Sequence, residues 1–423
     1  MKTASERRAV LLRRPVWSWA LVDWANSAFA TTVMAGFFPV FFKQYWSVGV
    51  EVTESTFRLG IANTIASAFI ALGAPLLGAV ADRAGRRMFL LMLATFLGAT
   101  MSCGLYWAGQ GQWELASALY VLGSLGFWWN SQFSDSLLTD VAEPAEYDFV
   151  SAYGYAMGYL GGGVLFIANV LMVTQPAWFG LKDAAEGVRL SFLTVGVWWV
   201  LFTVPAMLFV REVRPAVRPT VWRAMVAGVT ELRGTLSGLR SHRTLLAFLL
   251  AYWFYIDGVN TVIKMAVDYG LSIGLPSDAL LKALLLTQLV GFPASLAFGM
   301  LGRKWGPRTG IFIAIGVYTA ATVAATFLRT ENDFYLLAVV IGLVQGGIQS
   351  LSRAYFGRLV PAGRAGEYFG FYNMMGKFAS VLGPLLAGVT ALLTRDPRLS
   401  ILSVAVLFVI GAALLARVPR DAG

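Results

Sequence analysis

The residues of this chain whose types and spacing could do chemistry sit inside apolar runs. Asp23-Trp24-Ala25-Asn26-Ser27 puts a carboxylate, an amide and a hydroxyl at i, i+3 and i+4, one face of a helix. Asp257-Gly258-Val259-Asn260-Thr261 repeats that face far along the chain. A carboxylate inside a hydrophobic span is costly, so by default it marks a functional site. In low dielectric it can hold and release a proton near neutrality, while the amide and hydroxyl can bind a polar solute. Finding so costly a face twice points to an internal duplication with a polar pathway between its halves. A structural ion pair, or a carboxylate capping an unwound turn, is the competing explanation for either acid.

Two cations also lie at depth. Helical rise puts Asp257 roughly 20 Å into its span, Lys377 roughly 18 Å and Asp23 ~12 Å, whereas Arg353 lies in the third nearest Pro361. Arg353 could hold a solute carboxylate with its planar fork, or snorkel to the headgroups. Asn26, Asn130, Gln132, Asn260, Gln345 and Gln349 are pathway candidates. Each could instead be hydrogen-bond glue between helices, worth about 1 kcal/mol. Trp24, Trp128, Trp129, Tyr252 and Tyr255 could shape a pocket or serve as packing. No phosphate-binding glycine loop with its lysine is present, and no nucleophile–base arrangement, so neither ATP drive, an enzyme nor a cofactor is expected. A single cysteine, Cys103, and a single histidine, His242, argue against a disulfide and against a cysteine- or histidine-based metal site.

The elements that must position these groups are transmembrane helices. Hydrophobic residues make up 57% of the chain and charged residues 13%, with a mean hydropathy of +0.67, against about 25% charged in soluble chains. About twelve apolar runs of roughly 20 residues start near Pro15, Arg58, Met88, Trp113, Phe149, Arg189, Thr244, Ala279, Arg308, Asp333, Ala365 and Leu399. The net charge of +10 follows the membrane rather than nucleic acid. With the N-terminus inside, about 22 Lys and Arg fall on the inner side and about 9 on the outer. Both termini are therefore expected in the cytoplasm, and the first span is expected to be retained rather than cleaved. Residues 1–210 read as one six-helix bundle and 244–423 as a second. The basic segment 211–243 would link them. Trp222, Met225, Val229 and Leu232 form a stripe there, fitting either a helix on anionic lipid or a solvated linker.

A repeated basic turn supports the duplication. Gly78-Ala-Val-Ala-Asp82-Arg83-Ala-Gly85-Arg86-Arg87 follows the second span, and Gly299-Met-Leu-Gly-Arg303-Lys304-Trp-Gly306-Pro307-Arg308 follows the eighth. The first resembles the signature loop of the major facilitator superfamily. Asp23 to Phe29, Gly158 to Gly163, Asp257 to Thr261, Gln345 to Arg353 and Gly376-Lys377 through Gly383-Pro384 resemble the vacuole-effluxer-like branch of that superfamily. That branch includes the fungal autophagy-related vacuolar amino-acid effluxer.

The resemblance implies an all-α membrane protein of two pseudo-symmetric six-helix bundles, with spans 1, 4, 7 and 10 around a central pathway and halves that rock. The expected activity is secondary active transport of a small polar solute, an amino acid first, linked to protons. A lipophilic-compound exporter and a channel-like pore are the alternatives. Expected partners are the solute, membrane lipid and protons, but not nucleic acid. The protein is expected to be monomeric and, if bacterial, to sit in the plasma (inner) membrane.

Spans 7 and 11 lie side by side in the resembling fold, so Lys377 is expected to neutralise Asp257, the main proton-responsive group. The loop after span 2 would face span 11, pairing Asp82 with Arg364 and the helix N-terminus. Arg303 and Lys304 would meet Glu143, Glu146 and Asp148 at the start of span 5. Arg303 stands where the superfamily pattern has an acid. Gly158 and Gly161 to Gly163 should give the fifth span a smooth face for close packing, and Gly383-Pro384 should kink the eleventh.

Overall fold

The computed structural model describes residues 9–212, 243–379 and 382–419. Nearly all of the expected basic linker and its amphipathic stripe lie outside the described residues. Within them the chain forms twelve long helices and no strand. These are α1 (Arg14–Trp46), α2 (Val52–Ala84), α3 (Arg87–Gly104), α4 (Trp113–Val141), α5 (Tyr147–Thr174) and α6 (Ala184–Phe209). After the linker come α7 (Arg243–Ser272), α8 (Ser277–Trp305), α9 (Pro307–Ala325), α10 (Glu331–Leu359), α11 (Ala365–Thr394) and α12 (Arg398–Ala416). Every expected span has its helix.

Eleven of the twelve are long and apolar enough to cross a membrane. The exception is α4. Its 29 residues reach about 43 Å, ample for a bilayer, but Asn130, Ser131, Gln132, Ser134, Asp135 and Ser136 make its second half polar. Those residues face protein: Asn130, Gln132, Ser134 and Ser136 are wholly buried.

Two helices depart from α-helical geometry where function would use the departure. Past Ala28, α1 is π-helical over Phe29–Phe37 and again over Phe42–Trp46, a form concentrated at functional sites. As expected from Gly383-Pro384, α11 is broken, with one piece at Ala365–Phe378 and a second at Leu382–Thr394.

One apolar core lies wholly within residues 245–418, and two others are built chiefly from residues before 211. Across the divide, α2 packs on α11, and α5 packs on α8 and α10. Glycine makes both crossings possible. A methyl at Gly78 would fall 2.1 Å from the Gly366 carbonyl oxygen, and one at Gly299 would fall 2.5 Å from Ala152 Cβ. Within the first six helices, the smooth face of α5 does what was expected. Gly158 meets Ser27, Gly161 meets Trp24 and Gly162 meets Thr31, so α1 lies directly on α5.

Candidate functional site

Arg353 does not snorkel. It is 1% exposed, and it reaches from α10 into the first six helices. Its Nη1 lies 3.1 Å from Asp23 Oδ2 on α1 and 2.9 Å from Asp135 Oδ1 on α4. Its Nε and Nη2 donate to the Ser151 hydroxyl and carbonyl on α5, each at 2.8 Å. The guanidinium lies against the rings of Trp19 and Tyr155, 4.8 and 4.4 Å from their centroids. On α11, Asn373 donates to Asp135 Oδ2 at 3.2 Å. Five helices thus converge on one cation and two acids. Gly154 is required here, since a Cβ would stand 2.6 Å from Asp23 Oδ2 and 2.9 Å from Arg353 Nη2.

A buried ion pair must offset a desolvation cost of several kcal/mol per ion, and only good geometry with further hydrogen bonds does so. Arg353 has both. The two carboxylates against one guanidinium leave the cluster with one uncompensated negative charge. Sequence reasoning singled out Asp23 and Arg353 separately and missed Asp135 and Ser151. A usable signal existed: Asp135 lies 22 residues beyond Trp113, inside the fourth span.

The amides of the first half bond across helices. Asn26 donates to Asn130, and Asn130 donates to Thr95, both at 2.7 Å. Gln132 donates to the Ala74 carbonyl at 2.6 Å. Gln349, on α10, and Asn260, on α7, are only partly buried. The Asn260 amide reaches the Gly376 carbonyl at 3.4 Å.

The second acidic face is arranged differently, and the expected pairing of Asp257 with Lys377 is not formed. Asp257 is fully buried and accepts from the Gly383 N–H at 3.0 Å and the Thr261 hydroxyl at 3.3 Å. It caps, from α7, the N-terminus of the second piece of α11. The break in α11 exposes amide donors that have no partner of their own, and they draw the carboxylate. Lys377, on the last turn of the first piece, lies instead over the Trp128 ring on α4, 3.3 Å from its centroid. Among the described residues no ion pair joins it to an acid. The doubled face persists only as a doubled glycine contact. Gly154 and Gly158 meet Asp23 and Ser27, and Gly383 meets Asp257 and Thr261.

Asp257→Ala is therefore expected to cost about 1–2 kcal/mol through loss of the cap, while Asp257→Asn, an equally good cap, costs well under 1 kcal/mol. Thermal unfolding in lipid nanodiscs measures the difference. Equal losses in the two variants would show that charge, not capping, is what this site needs.

The first basic turn closes the end of the bundle at which α1 begins, here the proximal end. Asp82 accepts from the backbone N–H groups of Gly366 and Glu367, at 2.9 and 2.8 Å, so it sits on the α11 N-terminus as expected. Its expected partner Arg364 pairs instead with Glu367 at 2.7 Å, three residues along its own helix. Arg87 is the cation near Asp82, at 3.6 Å, and also pairs with Asp140 at 2.8 Å and donates to the Ser136 carbonyl at 3.0 Å. Gly85 holds a left-handed φ of 58°, which ends α2 and turns the chain into Arg86 and Arg87. Arg83 and Arg86 complete the turn, and the Arg86 guanidinium is 6.0 Å from the Phe89 ring centroid.

The second basic turn departs from expectation. Neither Arg303 nor Lys304 forms an ion pair among the described residues. Arg358, on α10, takes Asp148 at 2.8 Å and the Pro144 carbonyl at 3.1 Å, and Arg13 pairs with Glu146. The α8–α5 approach expected of this fold does occur, but Gly299 and Gly302 make it by backbone closeness at Asp148 and Ala152 rather than by charge.

Comparison with known proteins agrees with this architecture. The family described as "Vacuole effluxer Atg22 like" matches residues 47–146 and 139–423. A Bacillus subtilis (strain 168) protein described as the uncharacterized MFS-type transporter YxiO is 37% identical over 407 residues, covering 96% of this chain and 94% of that protein. Autophagy-related protein 22-1 of Penicillium rubens is 26% identical over 301 residues, covering 65% of this chain and 49%, about half, of the fungal protein. Among solved structures, the human organic anion transporter MFSD10 superposes with a TM-score of 0.72 at 18% identity, covering 95% of this chain and 99% of that one. The proton:xylose symporter XylE does so with a TM-score of 0.71 at 14% identity, covering 99% and 97%. Both share the fold of two six-helix bundles. The relatives are transporters rather than enzymes, and this chain, a multi-pass membrane protein, belongs to the Atg22-like family of major facilitator transporters.

Proposed function

We propose that the chain is a secondary active transporter that moves a small polar solute, an amino acid first among candidates, by proton-linked alternating access with both termini cytoplasmic. The observation that supports this reading is the Arg353 cluster. A cation on α10 is held by acids on α1 and α4 and by Ser151 on α5, so the two six-helix groups are tied together at the proximal end. Opening that end requires the guanidinium to leave both carboxylates. The uncompensated charge of the cluster makes Asp23 and Asp135 the natural pair to take up one proton as Arg353 withdraws, and the half-buried Gln349, four residues before Arg353 on α10, is a candidate to bind the solute. Arg358 with Asp148, Ser151 with the Ser350 carbonyl, and Asp82 with the α11 N-terminus would part in the same motion.

Proteoliposomes loaded with a panel of radiolabelled amino acids, with and without a pH gradient, test the reading. Saturable counterflow that concentrates at least one solute only when the gradient is imposed is the expected result. Single-channel conductance, or uptake indifferent to the gradient for every solute, would remove it.

A further inference from the structure

Among the described residues, Lys377 forms no ion pair with an acid. It is 9% exposed, and its ammonium rests on the Trp128 ring. Asp257, the acid expected to pair with it, is taken by the Gly383 N–H and the Thr261 hydroxyl. The Trp128 indole N–H is itself buried without an acceptor among the described residues. Two adjoining donors thus lack, among the described residues, the oxygen atoms both need.

The surroundings give the missing group its size and sign. Lys377 is one turn beyond Asn373, which holds Asp135, and Trp128 is two turns before Asp135 on α4. The ammonium therefore lies about 10 Å along the helix axes from the net-negative Arg353 cluster. An α-amino acid with a charge-assisted hydrogen bond at each end spans about 9 Å.

We infer that Lys377 and the Trp128 N–H form a subsite for the carboxylate of the transported solute, whose cationic group lies toward Asp23 and Asp135. This rests on the amino-acid reading of the solute and adds which residues select the carboxylate. A monoanion fits this subsite, because one ammonium and one indole N–H meet there.

Binding to the full chain in lipid nanodiscs tests it, read by tryptophan fluorescence and thermal shift. The probes are the twenty amino acids, their primary amides and their deaminated acids. The wild type should bind at least one amino acid about tenfold or more tighter than its amide. Lys377→Met should erase that preference, Lys377→Arg should keep it, and Trp128→Phe, which keeps a ring but loses the N–H, should weaken it. A deaminated acid should depend on Lys377 as the amino acid does. Lys377→Met with its preference intact would overturn the inference, as would a wild type that binds amides as tightly as acids or binds no probe. Because no transport is measured, the two readings fail separately. Gradient-driven uptake with an unchanged preference removes only the subsite, whereas a Lys377-dependent preference without uptake removes only the transport reading.

Discussion

Arg353→Gln is expected to abolish transport and to destabilise the closed state by about 3–5 kcal/mol, the loss typical when one member of a buried charge network is removed. The arginine is 1% exposed and carries bonds to α1, α4 and α5 at once. Its removal leaves Asp23 and Asp135 facing each other in low dielectric without a cation. Arg353→Lys keeps the charge but not the fork, so it should recover part of the stability and little of the transport. Asp23→Asn with Asp135→Asn in the Arg353→Gln background should restore most of the melting temperature and none of the solute accumulation, because the buried charges are gone while the switch is still missing. Thermal unfolding and proteoliposome uptake of the same preparations give both readings. Uptake by Arg353→Gln at the parental rate would show that the cluster is not the gate.

Gly78→Val should hold the proximal end open. A Cβ at position 78 would overlap the Gly366 carbonyl, and Gly366 in turn is 2.9 Å from the Gly78 carbonyl by the same construction, so neither helix can yield a side chain. The α2–α11 seam must part, and the bonds from Gly366 and Glu367 to Asp82 part with it. Overpacking at such a contact costs about 1–3 kcal/mol, which moves an open-to-closed ratio by roughly 5–150-fold. With Cys103 replaced by Ser, a cysteine at Ala354, buried in the closed layer, reports the change. It should react with a membrane-impermeant maleimide many times faster when Gly78→Val is present, and transport should fall in parallel. Unchanged labelling would show that the seam tolerates the side chain and that the closed layer rests on Arg353 alone.

The two variants act on one layer by different means, the first through charge and the second through shape. Reading the chain by itself located half of that layer. Asp82 was placed on the α11 N-terminus in advance because its turn resembles the superfamily's signature loop, which faces span 11 in the resembling fold; the Arg364 half of that expectation did not hold. The partners of Arg303 and Lys304 were misassigned because complementary charge at matching depth does not specify which of several helix ends is within reach. Arg358 is nearer, and it took Asp148.

What the sequence by itself determined was local and periodic. Twelve helices, most of their starts, the small-residue face of α5 and a departure from straight helix near Gly383-Pro384 all follow from apolar runs, turn residues and steric size, properties carried within one or two turns of chain. The cost of a carboxylate in an apolar run also marked Asp23 and Asp257 without any coordinates. Only the tertiary structure decided what those acids do. Asp23 met Arg353 from α10, 330 residues away, and became part of a charge cluster. Asp257 met the orphan N–H groups of a broken helix and became a cap, and Lys377, deprived of it, settled on Trp128. Asp135 was missed although the fourth span was expected, because it lies 22 residues beyond Trp113, past the roughly 20 residues read as apolar there, and the polarity of that end makes sense only once five helices surround it. Each outcome turns on which side chain from a distant helix arrives within hydrogen-bond range. In low dielectric that single contact outweighs the local pattern, since an unpaired charge there costs several kcal/mol and a satisfied one does not.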